Sequence, residues 1–160
     1  MANKTNIPFF AASMIALVAV GCSTTPAALK PVGLDFKELR VGDILIQERR
    51  TVVIRNANEQ ASLWKEGMWS GGGTMPNIDF SRYMLVGVFL GVYPVVERPE
   101  LSFSGVKRHF DPDRIEVTYK IRDYKPVFGN VTLPSAGSLH KLALVPRSNL
   151  PVQFVELKEE

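Results

Sequence analysis

The chain has 160 residues, 46% of them hydrophobic, with 19 Lys and Arg against 16 Asp and Glu for a formal charge of +3. That length supports one domain with its own core, and the slight positive balance, with Lys and Arg scattered rather than clustered, argues against a nucleic-acid-binding surface. Its one cysteine, Cys22, rules out a disulfide framework within the chain.

The first element is an apolar run over residues 7–20, interrupted only by Pro8 and Ser13 and preceded by the single charge of Lys4. Fourteen residues are too few for a helix to cross a hydrocarbon core, which takes about 20. They fit the hydrophobic region of a removable secretory leader. A buried core helix would carry a polar face, and this segment has none. Ala19-Val20-Gly21-Cys22 resembles the lipobox of a bacterial lipoprotein; a plain secretory leader with a chance cysteine is the alternative. The resemblance implies cleavage before Cys22, acylation of its thiol, and attachment to the membrane through that lipid. Ser23 after the cysteine resembles outer-membrane sorting in double-membraned bacteria. The expected organisation is a signal peptide over 1–21, a tether over 22–34 and a β-rich domain over 35–160. Cleavage leaves 139 residues (160 less 21) and, without Lys4, a formal charge of +2.

Most of the mature chain reads as strands. Residues 43–48 alternate, with Ile44 and Ile46 on one face, and 51–55 add a β-branched run. Asn56 followed three residues later by Glu59 forms a capping-box pattern with Asn in the Ser/Thr role. Ala57, Ala61, Trp64 and Met68 then recur at helical spacing, and Gly67 is the expected stop. Residues 83–90 are apolar on both sides, which predicts a central strand covered on both faces, and Gly87 predicts a neighbour packed close. Residues 101–110 and 114–122 form a hairpin around the Asp111-Pro112-Asp113 turn. In the second arm Ile115, Val117, Tyr119 and Ile121 alternate with polar residues. In the first arm the apolar positions slip at Gly105, which predicts a β-bulge there. Residues 139–146 and 152–157 complete the set. Strands on either side of a single helix predict a mainly β fold, an antiparallel β-sandwich or partly closed barrel with one short helix.

Thr51-Val52-Val53-Ile54-Arg55, the helix ending at Trp64, and the run Ile78-Asp79-Phe80-Ser81-Arg82-Tyr83 continuing through Leu90-Gly91 resemble the PrcB-like C-terminal domain. That family takes its name from a subunit that stabilises a secreted surface protease complex. The Lys125-Pro126 step and the closing Val145-Pro146 with Val152-Gln153-Phe154 follow its order, so the resemblance covers roughly residues 35–157. It implies a non-catalytic protein that binds another protein. This chain departs from the pattern after Gly91. Where the family carries a Pro-Thr-Gly-Gly-Tyr loop, residues 92–99 hold Pro94 and Pro99 and present Tyr93, Glu97 and Arg98. The family loop is also similar to part of the β-sandwich cysteine-protease inhibitors, but their Asn-Pro-Thr-Thr-Gly element is absent here.

Candidate chemistry is sparse. His109, Asp111 and Asp113 place an imidazole and two carboxylates within five residues, but a calcium loop also needs a glycine and a later glutamate, so a turn without metal is expected. Gly71-Gly72-Gly73 has no following Lys-Ser pair and opens no helix, which excludes a P-loop. There is no Gly-x-Ser-x-Gly elbow, the only histidines are His109 and His140, and acylation would consume Cys22. No enzyme and no cofactor are expected. Trp64, Trp69, Phe80 and Tyr83 cluster around the glycines. Trp64 and Phe80 are expected in the core, and Trp69 exposed. Asp79 is expected to bond local backbone. The candidate partner-binding residues are Trp69, Gly71, Gly72, Gly73, Tyr93, Glu97 and Arg98. The expected partner is an envelope protein, and the alternative is an envelope glycan such as peptidoglycan, or a small ligand, bound by the same aromatics.

Overall fold

The computed structural model describes residues 29–42, 44–67, 74–94, 99–123 and 136–158. Among them are β1 (Val32–Gly33), β2 (Lys37–Leu39), β3 (Arg50–Ile54), α1 (Ala57–Gly67), β4 (Tyr83–Pro94), β5 (Glu100–Phe110), β6 (Asp113–Arg122), β7 (Ala136–Pro146) and β8 (Val152–Leu157). They form two four-stranded sheets, ordered β1-β5-β6-β8 and β2-β7-β4-β3. Among the described residues the fold is mainly β and sandwich-like with one helix, and the two sheets do not close into a barrel. One pair departs from the expected antiparallel arrangement: β8 runs parallel to β6, with Ile115 opposite Val152 and Lys120 opposite Leu157. The reason is topological. β7 ends in the other sheet, so β8 has no hairpin partner and enters beside the start of β6, where the Ile115 amide donates to Pro151 O at 2.9 Å.

Hydrophobic periodicity places the layers. On β4, Met84, Val86, Val88 and Leu90 pack with Leu101, Phe103 and Val106 of β5 and Ile115, Val117 and Tyr119 of β6. The intervening Leu85 and Phe89 pack instead with Leu142 of β7, Ile54 of β3 and Leu63 and Trp64 of α1. The β2-β7-β4-β3 sheet is thus the middle layer, apolar on both faces. At Gly87 a Cβ would lie 2.5 Å from Leu142 Cδ2 and 2.9 Å from Val52 Cγ2, so the close neighbour expected there is real. The β5–β6 register slips between Phe103 and Gly105, at the bulge the sequence predicts, and the Thr118 hydroxyl donates to Gly105 O at 3.0 Å. The β4–β7 register slips between Phe89 and Gly91, where Gly91 takes a φ of +91°.

Three further expectations need correction. Of the strand expected over residues 43–48, the described residues 44–48 form none, although Ile44 and Ile46 are both buried. The Ile46 amide donates back to Ile44 O and the Leu45 amide to Gly67 O, so this segment is tied to itself and to the end of α1. The buried face of α1 is Gln60, Leu63, Trp64 and Gly67, whereas Ala57 and Ala61 are exposed. A polar residue enters that face because Gln60 Nε2 donates to Pro76 O at 2.8 Å. Finally, the folded unit begins before residue 35, since Val32 and Gly33 pair with Arg108 and Lys107.

The helix start follows the capping pattern. The Glu59 amide donates to Asn56 Oδ1 at 2.9 Å, and the Glu59 carboxylate accepts from the Arg55 amide and from Asn56 Nδ2, each at 2.6 Å. At the other end Gly67 is required by packing, because a Cβ would lie 2.3 Å from Ile44 Cγ2.

Candidate functional site

The pairings give the sandwich two ends. At one, Tyr83 lies opposite Pro146, Ile115 opposite Val152, and Phe110 opposite Asp113 around the Asp111-Pro112 turn. At the other, Pro94 lies opposite Ala136 and Glu100 opposite Arg122. The candidate segment 92–99 belongs to this second end. Its first part is not a loop as the sequence suggested: β4 continues through Tyr93, paired with Gly137, to Pro94. The Leu90–Gly91 bulge makes this extension possible by resetting register before the last strand residues. Val92 is exposed and Pro99 is buried. Glu97 and Arg98 lie outside the described residues, as do Cys22, Trp69, Gly71, Gly72 and Gly73.

Of the aromatics around the glycines, Trp64, Phe80 and Tyr83 are described, and they separate. Trp64 is buried between α1 and the middle sheet, and Phe80 is half-buried against the same cluster, as the core reading expects. The Trp64 indole N–H has no hydrogen-bond partner among the described residues. Tyr83 lies elsewhere, lining an open groove of about 330 Å³ with Asp35, Phe36, Lys37 and Leu144. The Arg82 guanidinium sits 5.6 Å from the Tyr83 ring centroid. The groove has an apolar floor with one acid and one base at its rim. It brings together residues that the sequence did not link, because β2 and β4 meet there only through β7.

Asp79 has the local role expected of it. Its Oδ1 accepts from the Ser81 hydroxyl at 2.5 Å and from the Ser81 amide at 3.0 Å, while its carbonyl accepts from the Arg82 and Tyr83 amides. The Ser81 hydroxyl, then the Ser81 amide, hold its carboxyl below the usual value of 3.8.

The three groups of the β5–β6 hairpin serve different partners. Asp113 accepts a two-pronged bond from Arg108, both arms at 3.0 Å. His109 Nε2 lies 3.3 Å from Glu116 Oε2 without being aligned as a hydrogen bond. Asp111 stays in the turn, which closes the hairpin as the sequence predicts. Among the described residues no three His, Cys, Asp or Glu side chains are grouped to hold a metal ion, and no helix is long and apolar enough to cross a membrane.

Carboxylates also bridge both seams of the sandwich. Glu38 on β2 accepts from the Phe103 amide of β5 at 3.4 Å and from Lys141 Nζ of β7 at 3.2 Å. Glu156 on β8 accepts from Arg49 just ahead of β3 and, at 3.4 Å, from the Tyr119 hydroxyl. Comparison with family models, with curated proteins and with solved structures finds no match to this chain.

Proposed function

We propose that the chain is a lipid-anchored, non-catalytic protein of the bacterial cell envelope, sorted to the outer membrane, whose β-sandwich binds another envelope protein. The observation that carries the reading is the apolar run closed by Ala19-Val20-Gly21-Cys22. A lipid on Cys22 makes the rest of the chain a tethered domain. Among its described residues the polar clusters are engaged in holding strands and turns together. The resemblance to the PrcB-like domain supplies the kind of partner, an envelope protease complex in which this chain is an accessory. Residues 92–99, where the chain departs from that pattern, are the candidate contact, since connections on a rigid sheet usually carry binding. The glycan alternative would rest on Trp69 and Tyr93 rather than on Trp64 and Phe80, which are engaged in the helix–sheet contact.

The test has two arms. Cys22→Ala should move the protein from the membrane fraction to the soluble one and remove the acyl mass from its N-terminal peptide; continued sedimentation with membranes refutes the anchor. A chemical cross-link between the wild-type protein and one envelope protein, lost when Glu97 and Arg98 are reversed in charge, supports the partner reading. Binding to purified peptidoglycan with no protein cross-link overturns it in favour of the glycan.

A further inference from the structure

The tether's point of entry fixes how an anchored domain stands on its membrane. The chain enters through β1, and Val32 pairs with Arg108, two residues before the end of β5 and next to the Asp111-Pro112 turn. It therefore joins the fold at the hairpin end, the same end at which, across the sheet, the Pro151 carbonyl accepts from Ile115. From Cys22 to Val32 there are ten residue steps, which span about 36 Å at full stretch and about 18 Å as a flexible coil. β5 and β6, of 11 and 10 residues, are themselves about 35 Å long. For the opposite end to touch the bilayer, the tether would have to run at almost its full length along the side of the domain. The hairpin end reaches the surface with the tether relaxed.

A second observation points the same way. Leu29 and Val32 are the two most exposed large apolar side chains among the described residues, at 69% and 51%, and both sit at the base of the tether. Apolar side chains left in water beside an acyl anchor gain by entering the lipid interface.

We infer that the hairpin end, with the base of the tether, is the face that lies against the lipid surface carrying the Cys22 anchor. The end formed by Pro94, Glu100, Arg122 and Ala136 is then presented away from the membrane. This rests on the anchor reading, and it assigns the partner to the distal end.

The experiment uses the acylated full-length mature protein on phosphatidylethanolamine–phosphatidylglycerol vesicles that contain a lipid with a nitroxide headgroup, a short-range quencher. Asn149→Cys labels the hairpin end and Asp123→Cys the opposite end; both positions are exposed, and the acylated Cys22 thiol does not react. Quenching should be several-fold stronger at residue 149 than at residue 123, and should fall at 149 when a Gly/Ser insert after Thr25 lengthens the tether. Equal quenching at the two positions, or stronger quenching at 123, overturns the orientation while leaving the anchor intact. Vesicle binding that persists in Cys22→Ala overturns the anchor and the orientation together.

Discussion

Gly91→Ala tests the bulge that carries β4 to the distal end. Gly91 has a φ of +91°, and a Cβ there would stand 2.7 Å from Gln47 O, a backbone atom that no side-chain rotation can move away. Forcing an L-residue into the left-handed region costs about 1–2 kcal/mol. Crowding a methyl group against fixed backbone costs roughly 1–3 kcal/mol more. Against this, the reduced freedom of the unfolded chain returns about 0.4–1 kcal/mol. The expected net loss is about 2–3 kcal/mol. With a urea dependence of about 1–3 kcal/mol per molar for a domain of this size, the unfolding midpoint should fall by about 1–2 M. Gly33→Ala is the matched control, since nothing lies within 4 Å of its Cβ position, and its stability should stay within about 0.5 kcal/mol of wild type. Should the two variants unfold at the same urea concentration, the 44–49 segment does not pass over Gly91 and the argument for the bulge fails.

Two further outcomes follow from the polar contacts. Arg55 donates through Nε to Ser148 O at 3.0 Å and through Nη2 to Leu150 O at 2.9 Å, holding the 147–151 connection to the end of β3. Arg55→Met should cost about 2–3 kcal/mol and speed hydrogen exchange at the Leu150 amide, and unchanged exchange there would show that the clasp is not formed in solution. At Asp79 the folded carboxyl is held below 3.8 by Ser81, so its contribution is present above the unfolded value and lost as pH falls through the lower folded value. The melting temperatures of wild type and Asp79→Ala should therefore differ near neutrality and converge as pH drops below 3.8; a gap that stays constant down to about pH 2 contradicts the Ser81 contact.

What was legible in the sequence was whatever a residue's local pattern decides. The alternation in β6 announced its buried face, the slip at Gly105 announced a bulge, and Asn56 with Glu59 announced the start of α1, because each signal is complete within a few residues. Residues 44–49 show where that reasoning ends. Ile44 and Ile46 are buried on one side as a strand's would be, but alternation reports burial and says nothing about where the backbone bonds go. Here they go to Gly67 O and to Ile44's own carbonyl. The α1 stripe failed for a related reason. Gln60 is buried because Pro76 O is waiting for it sixteen residues on, and a period count that admits only apolar residues passes over it. The parallel direction of β8 has no local signature at all, since the partner of β8 is set by β7 ending in the opposite sheet. The groove at Tyr83 was missed on the same account. Of the candidate site, Tyr93 moved from a loop into β4, and the glycine run, Trp69, Glu97 and Arg98 fall outside the described residues.

The seams bear on how such a domain could take a partner. Exposed strand edges invite pairing with another chain, and natural sheets blunt them with charge, short strands or covering segments. On one side of this sandwich the edges are β1 and β2, two and three residues long, formed by one stretch that leaves the first sheet at Gly33 and joins the second at Lys37. The Phe103 amide in the gap between them is taken by Glu38. On the other side β3 and β8 are linked by Arg49 with Glu156, and Arg55 holds the connection that leads into β8. Strand addition would have to displace a charged contact at either seam. A partner that meets a strand end adds no strand and leaves both seam contacts in place. One of the two ends is already occupied by the entering tether, so on the anchored reading a protein partner meets the distal end, and substitutions at Glu97 and Arg98 should affect binding more than substitutions at Glu38 or Glu156. A cross-link to the partner that survives charge reversal of Glu97 and Arg98 but is lost on Glu156→Lys, with the fold intact by circular dichroism, would instead place the contact on the β3–β8 seam.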